Sequence, residues 1–231
     1  MKQEKAGNFE DQKLKRINSN YISHEIQHLI HFEKGFPFTI KNLLLRPGKS
    51  IREFLFENRD KYVKPVLFLV VSSVVFLLLM SFLHIHLSFF NIDTMEILKG
   101  KIRSKEIGAW TNKNMGYSQL IMGIFISLWI KVFYRKYKYN IFEILVLLSF
   151  VLGEALLIFA FFIIVANIVQ SENVAVFGII VYFVYIIWAI GQFFGEKKAI
   201  NYIKSFFVYF LGNATYLATL VSIAYLLKFI L

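Results

Sequence analysis

Glu154 stands near the middle of the long apolar run Ile141–Val169, with Gly153 beside it. An ionised carboxylate at the centre of a bilayer costs at least about 2.5–3.5 kcal/mol on insertion scales, so such a group needs a reason to be there. Glu143 lies almost three helical turns earlier, and a helix places both carboxyl groups on one face. Two acids on one face would suit a proton or cation path. A single acid held neutral and hydrogen-bonded between helices would serve packing, with Glu143 in the head-group region. Glu154 is expected to face the bundle interior as the neutral acid. Its candidate partners are Tyr182 and Tyr185, from a stripe with Gly178, Ala189 and Gln192, and Thr215, Thr219 and Ser222, from a stripe with Gly212. Stripes of this kind also serve close helix packing.

His24, His28 and His31 follow at i, i+4 and i+7, so one helical face could present three imidazoles, enough for an open zinc site. The polar side of an amphipathic helix needs such residues too, and a metal site also needs convergent geometry and supporting hydrogen bonds. The histidines are weak candidates, and no metal or other cofactor is expected. No nucleophile elbow, HExxH or P-loop occurs, and no catalytic residue is assigned. The chain contains no cysteine, which excludes disulfides, thiolate metal sites and cysteine nucleophiles. Arg46, Lys49, Arg52, Arg59, Lys61 and Lys64 precede the first apolar run. They are expected to contact lipid head groups, either through ordinary positive-inside anchoring or through a preference for anionic lipids.

These residues must be positioned by membrane elements. Hydrophobic residues make up 57% of the chain, above the roughly 45–50% of soluble domains. The excess lies in long runs, which predict spans over about 66–90, 116–134, 141–169, 174–194 and 206–231. The fold class expected is an all-α membrane protein, a bundle of about five transmembrane helices with an N-terminal cytoplasmic amphipathic segment. Residues 1–20 are polar and read as a disordered tail. Residues 21–65 read as amphipathic membrane-surface helices, broken at Gly35–Pro37 and at Pro47–Gly48, with Ser50 and Glu53 as a capping box. Residues 66–231 form the transmembrane part. Trp129, Tyr134, Tyr137 and Tyr139 suggest an aromatic belt at one interface.

The net charge of +11 would suit nucleic acid in a soluble protein. Here cytoplasmic loops and anionic lipids explain it, and nucleic acid is not an expected partner. Basic residues weight toward the N-terminal segment and the loops after spans two and four, which predicts a cytoplasmic N-terminus and an external C-terminus.

The stretch LLLRPGKSIREFLFENRDKYVKPVLFL, residues 43–69, resembles the conserved block of the bacterial membrane family DUF3667, a domain of unknown function. Arg46, Pro47, Gly48, Ile51, Phe54, Leu55, Arg59, Tyr62 and Pro65 carry the likeness. The preceding HFEKGFPFTIKNL resembles the family as well. YKYNIFEILV is a fainter echo, in which Glu143 matches a family glutamate. Members often begin with a cysteine-rich, zinc-ribbon-like segment, which this chain lacks. The family glutamate is often followed by histidine, and here Ile144 follows it. The resemblance implies a bacterial membrane protein and supplies no reaction. The function expected is non-catalytic, in the bacterial inner membrane, with a regulatory, envelope or assembly role. The alternative is a proton- or ion-coupled transporter using Glu154, and an intramembrane enzyme is the third reading.

Overall fold

The computed structural model describes residues 35–85, 110, 111 and 113–230, and every regular element among them is helical. The expected tail (1–20), the segment with His24, His28 and His31, and most of the 91–115 connection lie outside the described residues. Two short helices, α1 (residues 35–45) and α2 (Pro47–Phe56), lead into α3 (Pro65–Phe82), α4 (Met115–Phe133), α5 (Ile141–Val169), α6 (Glu172–Gly195) and α7 (Ala199–Ile230). The five helices α3 to α7 are long and apolar enough to cross a membrane. Without water in hydrocarbon, only a helix satisfies its own backbone groups, so these runs have no other regular form open to them within a single segment.

The break between α1 and α2 falls on Arg46, with φ −149° and ψ 59°. A residue before proline is pushed out of the α region, and Pro47 then suits the first helical position, where its missing N–H is not needed. The helix therefore starts one turn before Ser50, and the expected capping box does not form. Ser50 is instead buried and donates to the carbonyls of Asn42 (3.0 Å) and Arg46 (2.9 Å), which fastens α2 to α1. Glu53 accepts from the Tyr62 hydroxyl at 3.1 Å. A true capping box opens α5. The Asn140 side chain accepts from the Glu143 N–H at 2.9 Å, and the Glu143 carboxylate accepts from the Asn140 N–H at 2.7 Å.

Helix ends differ from the expected spans in two places. α3 stops at Phe82, where Leu83 caps it and His84 takes φ 54°. α7 begins at Ala199, not near 206, because the polar residues expected to form a loop are buried in its first turns. Asn201 and Ser205 are both inaccessible to solvent or nearly so, and they bond to groups of neighbouring elements.

α5 is the most deeply buried span and packs against α3, α4 and α6, while α7 packs against α4 and α6. The α4–α7 crossing is close. A Cβ added to Gly212 would lie 2.7 Å from the Ile126 Cα, and backbone cannot move aside as a flexible side chain can. Gly212→Ala is expected to destabilise the bundle by about 1–3 kcal/mol through overpacking. Thermal unfolding of the purified protein in detergent checks this, and an unchanged midpoint would contradict the crossing.

Candidate functional site

Glu154 lies midway along α5 and is 1% exposed. Its side chain reaches the floor of a groove of about 630 Å³ between α5 and α6. Leu157, Ile158, Phe161 and Phe162 line it from α5, and Val181, Val184, Tyr185 and Trp188 from α6. Ile40 and Leu44 of α1 close one end. Among the described residues the lining is apolar apart from Glu154, the Tyr185 hydroxyl and the Trp188 indole N–H. Glu154 Oε2 has no hydrogen-bond partner among the described residues. A buried carboxyl oxygen left so forfeits its hydration without compensation, a cost of order 1–3 kcal/mol or more.

The expected partners are distributed differently. Tyr185 shares the groove, but its hydroxyl donates to the Leu43 carbonyl of α1 at 3.1 Å. Tyr182 lies within hydrogen-bonding reach of Tyr209 and Gln119 instead. Thr215, Thr219 and Ser222 each donate to a carbonyl one turn back in α7, at 2.8–2.9 Å. They sit away from Glu154 because α7 packs on α4 and α6. Glu143 is occupied by the cap of α5, almost three turns from Glu154, so the two acids do not form a joint site. Among the described residues no group of three His, Cys, Asp or Glu could hold a metal ion.

The basic residues before α3 divide into two sets. Arg52 donates from one guanidinium nitrogen to the carbonyls of Gln192 (3.0 Å) and Phe193 (2.7 Å), near the C-terminal end of α6. Those carbonyls have few helical partners and carry the negative end of the helix dipole, so a cation there is favourable. Gln192 returns the contact by accepting from the Gly48 N–H at 2.7 Å. A Cβ on Gly48 would lie 2.6 Å from the Gln192 carbonyl carbon. Arg46 donates twice to the Asn42 side chain, and Arg59 donates to the Leu55 carbonyl and lies over the Phe54 ring. Lys49, Lys61 and Lys64 are exposed.

The sequence pattern did not single out Asn201. This buried side chain donates to Phe194 O (2.9 Å), Gly195 O (3.1 Å) and the Tyr137 hydroxyl (3.1 Å). The Asn201 backbone carbonyl accepts from the Tyr134 hydroxyl, which also lies 2.8 Å from the Ser205 hydroxyl. Burial pushes the Tyr134 hydroxyl up, more than its hydrogen bond to Ser205 lowers it, so it stays a neutral donor. Its ring stacks on Phe194 at 3.8 Å, and Tyr137 and Tyr139 join the same cluster. Trp129 stands apart and points its N–H at Thr215 Oγ1 (3.4 Å). Gln119 was also missed. It is 5% exposed, and its Oε1 lacks a partner among the described residues. An isolated polar residue near a span end carries no periodic signal that would mark it.

Arg52→Ala is expected to cost about 1.5–3 kcal/mol, the range for hydrogen bonds to a charged group. Protease sensitivity of α2 should rise with it, and a variant as stable and as protected as the parent would contradict the clamp. Glu154→Leu is expected to hold stability or raise it by up to about 1–3 kcal/mol, since no hydrogen bond is lost from Oε2 and its desolvation cost is removed. Denaturant titration in detergent measures it, and a large loss would point to a partner of Glu154 not seen here.

No curated protein and no solved structure matches this chain. A family model does match, over the segment that contains the Arg46–Pro47 break, the Gly48–Gln192 contact and the Arg52 clamp. Residues 33–77, which reach from the start of α1 into α3, match the family described as protein of unknown function, DUF3667.

Proposed function

We propose that this is a non-catalytic multi-pass protein of the bacterial inner membrane, in which α1 and α2 form a cytoplasmic-side platform for regulation or assembly. One observation carries the reading: the most polar part of the family segment is bonded into the bundle, through Arg52 and Gly48 on the end of α6. The platform keeps a mixed outer face, with Leu45 (65% exposed) and Phe56 (61%) beside exposed Lys41, Lys49, Lys61 and Lys64. Apolar side chains next to lysines suit the boundary of a leaflet rich in anionic lipid, where each Lys contributes about 1 kcal/mol. The basic bias of the loops supports a cytoplasmic N-terminus.

A second reading, proton- or ion-coupled transport, draws on Glu154, whose buried Oε2 has no partner among the described residues. The apolar wall around it weighs against a path for ions, which need polar groups or water along their course. An enzyme is disfavoured because Glu143, which resembles a family glutamate, is spent on a helix cap.

Reporter fusions should place Lys138 and Lys198 in the cytoplasm and Gln170 outside; a cytoplasmic Gln170 inverts the orientation. Native mass spectrometry should find phosphatidylglycerol retained over phosphatidylcholine, and the triple change Lys49→Gln, Lys61→Gln, Lys64→Gln should remove that preference. Equal retention of both lipids by the parent protein would end the platform–lipid idea. In proteoliposomes no pH-dependent flux is expected. A flux abolished by both Glu154→Gln and Glu154→Leu would establish the transport reading instead.

A further inference from the structure

We infer that the groove beside Glu154 is a binding site for an uncharged, long-chain carbonyl lipid of the quinone type, admitted sideways from the hydrocarbon layer, with its carbonyl oxygen on the Glu154 carboxyl. The site goes beyond the platform role, and its test reads binding rather than flux.

Three features of the groove select this occupant. The first is its access. Phe161 (60% exposed) and Val184 (58%) stand at its rim on helices that span the membrane, and Leu44 (48%) stands at its α1 end. Anything that enters between them comes from lipid. The second is its size. The α5 lining from Glu154 to Phe162 covers roughly 12 Å at about 1.5 Å per residue. A cavity of about 630 Å³ over that length takes a single hydrocarbon chain ending in a flat ring. A helix would bring backbone carbonyls already bonded along its own axis, and so no free backbone acceptor for the Glu154 acid. The volume lies within the ~300–1,000 Å³ of small-molecule sites.

The third feature is the chemistry of the floor. Glu154 is nine-tenths buried and more, and the described lining residues offer no cation. A carboxyl in such a lining is held as the neutral acid, because an isolated ionised carboxylate in hydrocarbon costs far more than a protonated one. A neutral acid has one O–H to donate, and a ligand carbonyl is an acceptor that brings no unsatisfied donor of its own. Tyr185 is already committed to Leu43 O. Phe161, Phe162, Tyr185 and Trp188 give flat faces for a ring. A phospholipid is disfavoured because its charged head group would find no cation among the described lining residues.

Trp188 reports on the site. The full-length chain with Trp110→Phe and Trp129→Phe keeps Trp188 as its single tryptophan and is reconstituted in phosphatidylcholine nanodiscs. Decylubiquinone should quench its fluorescence saturably. Farnesol, a chain alcohol without the carbonyl, and added phosphatidylglycerol should not displace it. Glu154→Gln, whose amide still donates, should bind within about threefold, and Glu154→Leu should bind at least about tenfold more weakly, the scale of one hydrogen bond. Val184→Phe, which narrows the mouth from an exposed position, should weaken binding with Glu154 intact. Quenching that rises linearly with decylubiquinone, that is unchanged in both Glu154→Leu and Val184→Phe, or that farnesol or phosphatidylglycerol reverses would overturn the site.

Discussion

Lipid tails are as apolar as leucine, so no hydrophobic force presses one membrane helix against another, and the bundle depends on close van der Waals approach. That constraint decides where the backbones can meet. Gly212 lets α7 come within contact of the Ile126 backbone on α4, and Gly48 lets α2 sit on the Gln192–Phe193 backbone of α6. Both contacts require hydrogen in place of a methyl. α5 is the most buried span because α3, α4 and α6 pack against it, and two of these, α4 and α6, are in turn held by such contacts to α7 and α2.

The second organising interaction is electrostatic and sits at one end of the bundle. Helix C-termini leave carbonyls without partners, and a low-dielectric setting makes that costly. Arg52 answers for α6, and Asn201 answers for Phe194 and Gly195 at the turn into α7. Gly195, with φ 133°, makes that turn in a conformation that disfavours side chains. The aromatic rings of Tyr134, Tyr137, Tyr139, Phe193 and Phe194 then cover these polar groups. The α4–α5 and α6–α7 connections are thereby held as one cluster, with α2 clamped on the C-terminal end of α6. The segment matched by the family model owes its fixed place to this clamp.

The opposite economy holds at Glu154. At the bundle end Arg52, Asn201 and Tyr134 have partners; in the groove Glu154 Oε2 has none among the described residues, and its described neighbours are mostly hydrocarbon and aromatic rings. Polar groups in membranes that remain unsatisfied in the protein itself find their partners in ligands, lipid or water.

The number and type of spanning elements were legible in the sequence, because hydrocarbon leaves an 18-residue apolar run no other way to satisfy its backbone than a helix. A break close to Pro47 was legible too, since proline restricts the residue before it, but it falls on Arg46 and leaves the expected Pro47–Gly48 turn inside α2. The start of α7 was not, because Asn201 and Ser205 look like loop residues until their partners on other elements are known. Ser50 and Glu53 misled in the same way: a capping motif is local, but Asn42 and Tyr62 offered better bonds once α1 and α3 were in place. Glu154 could be picked out by its cost in hydrocarbon, but which groups faced it could not. Helical stripes give the face of each helix and not the order of helices in the bundle. Tertiary packing alone set α7 against α4 and α6, away from Glu154, and left the carboxyl at the floor of a lipid-facing groove.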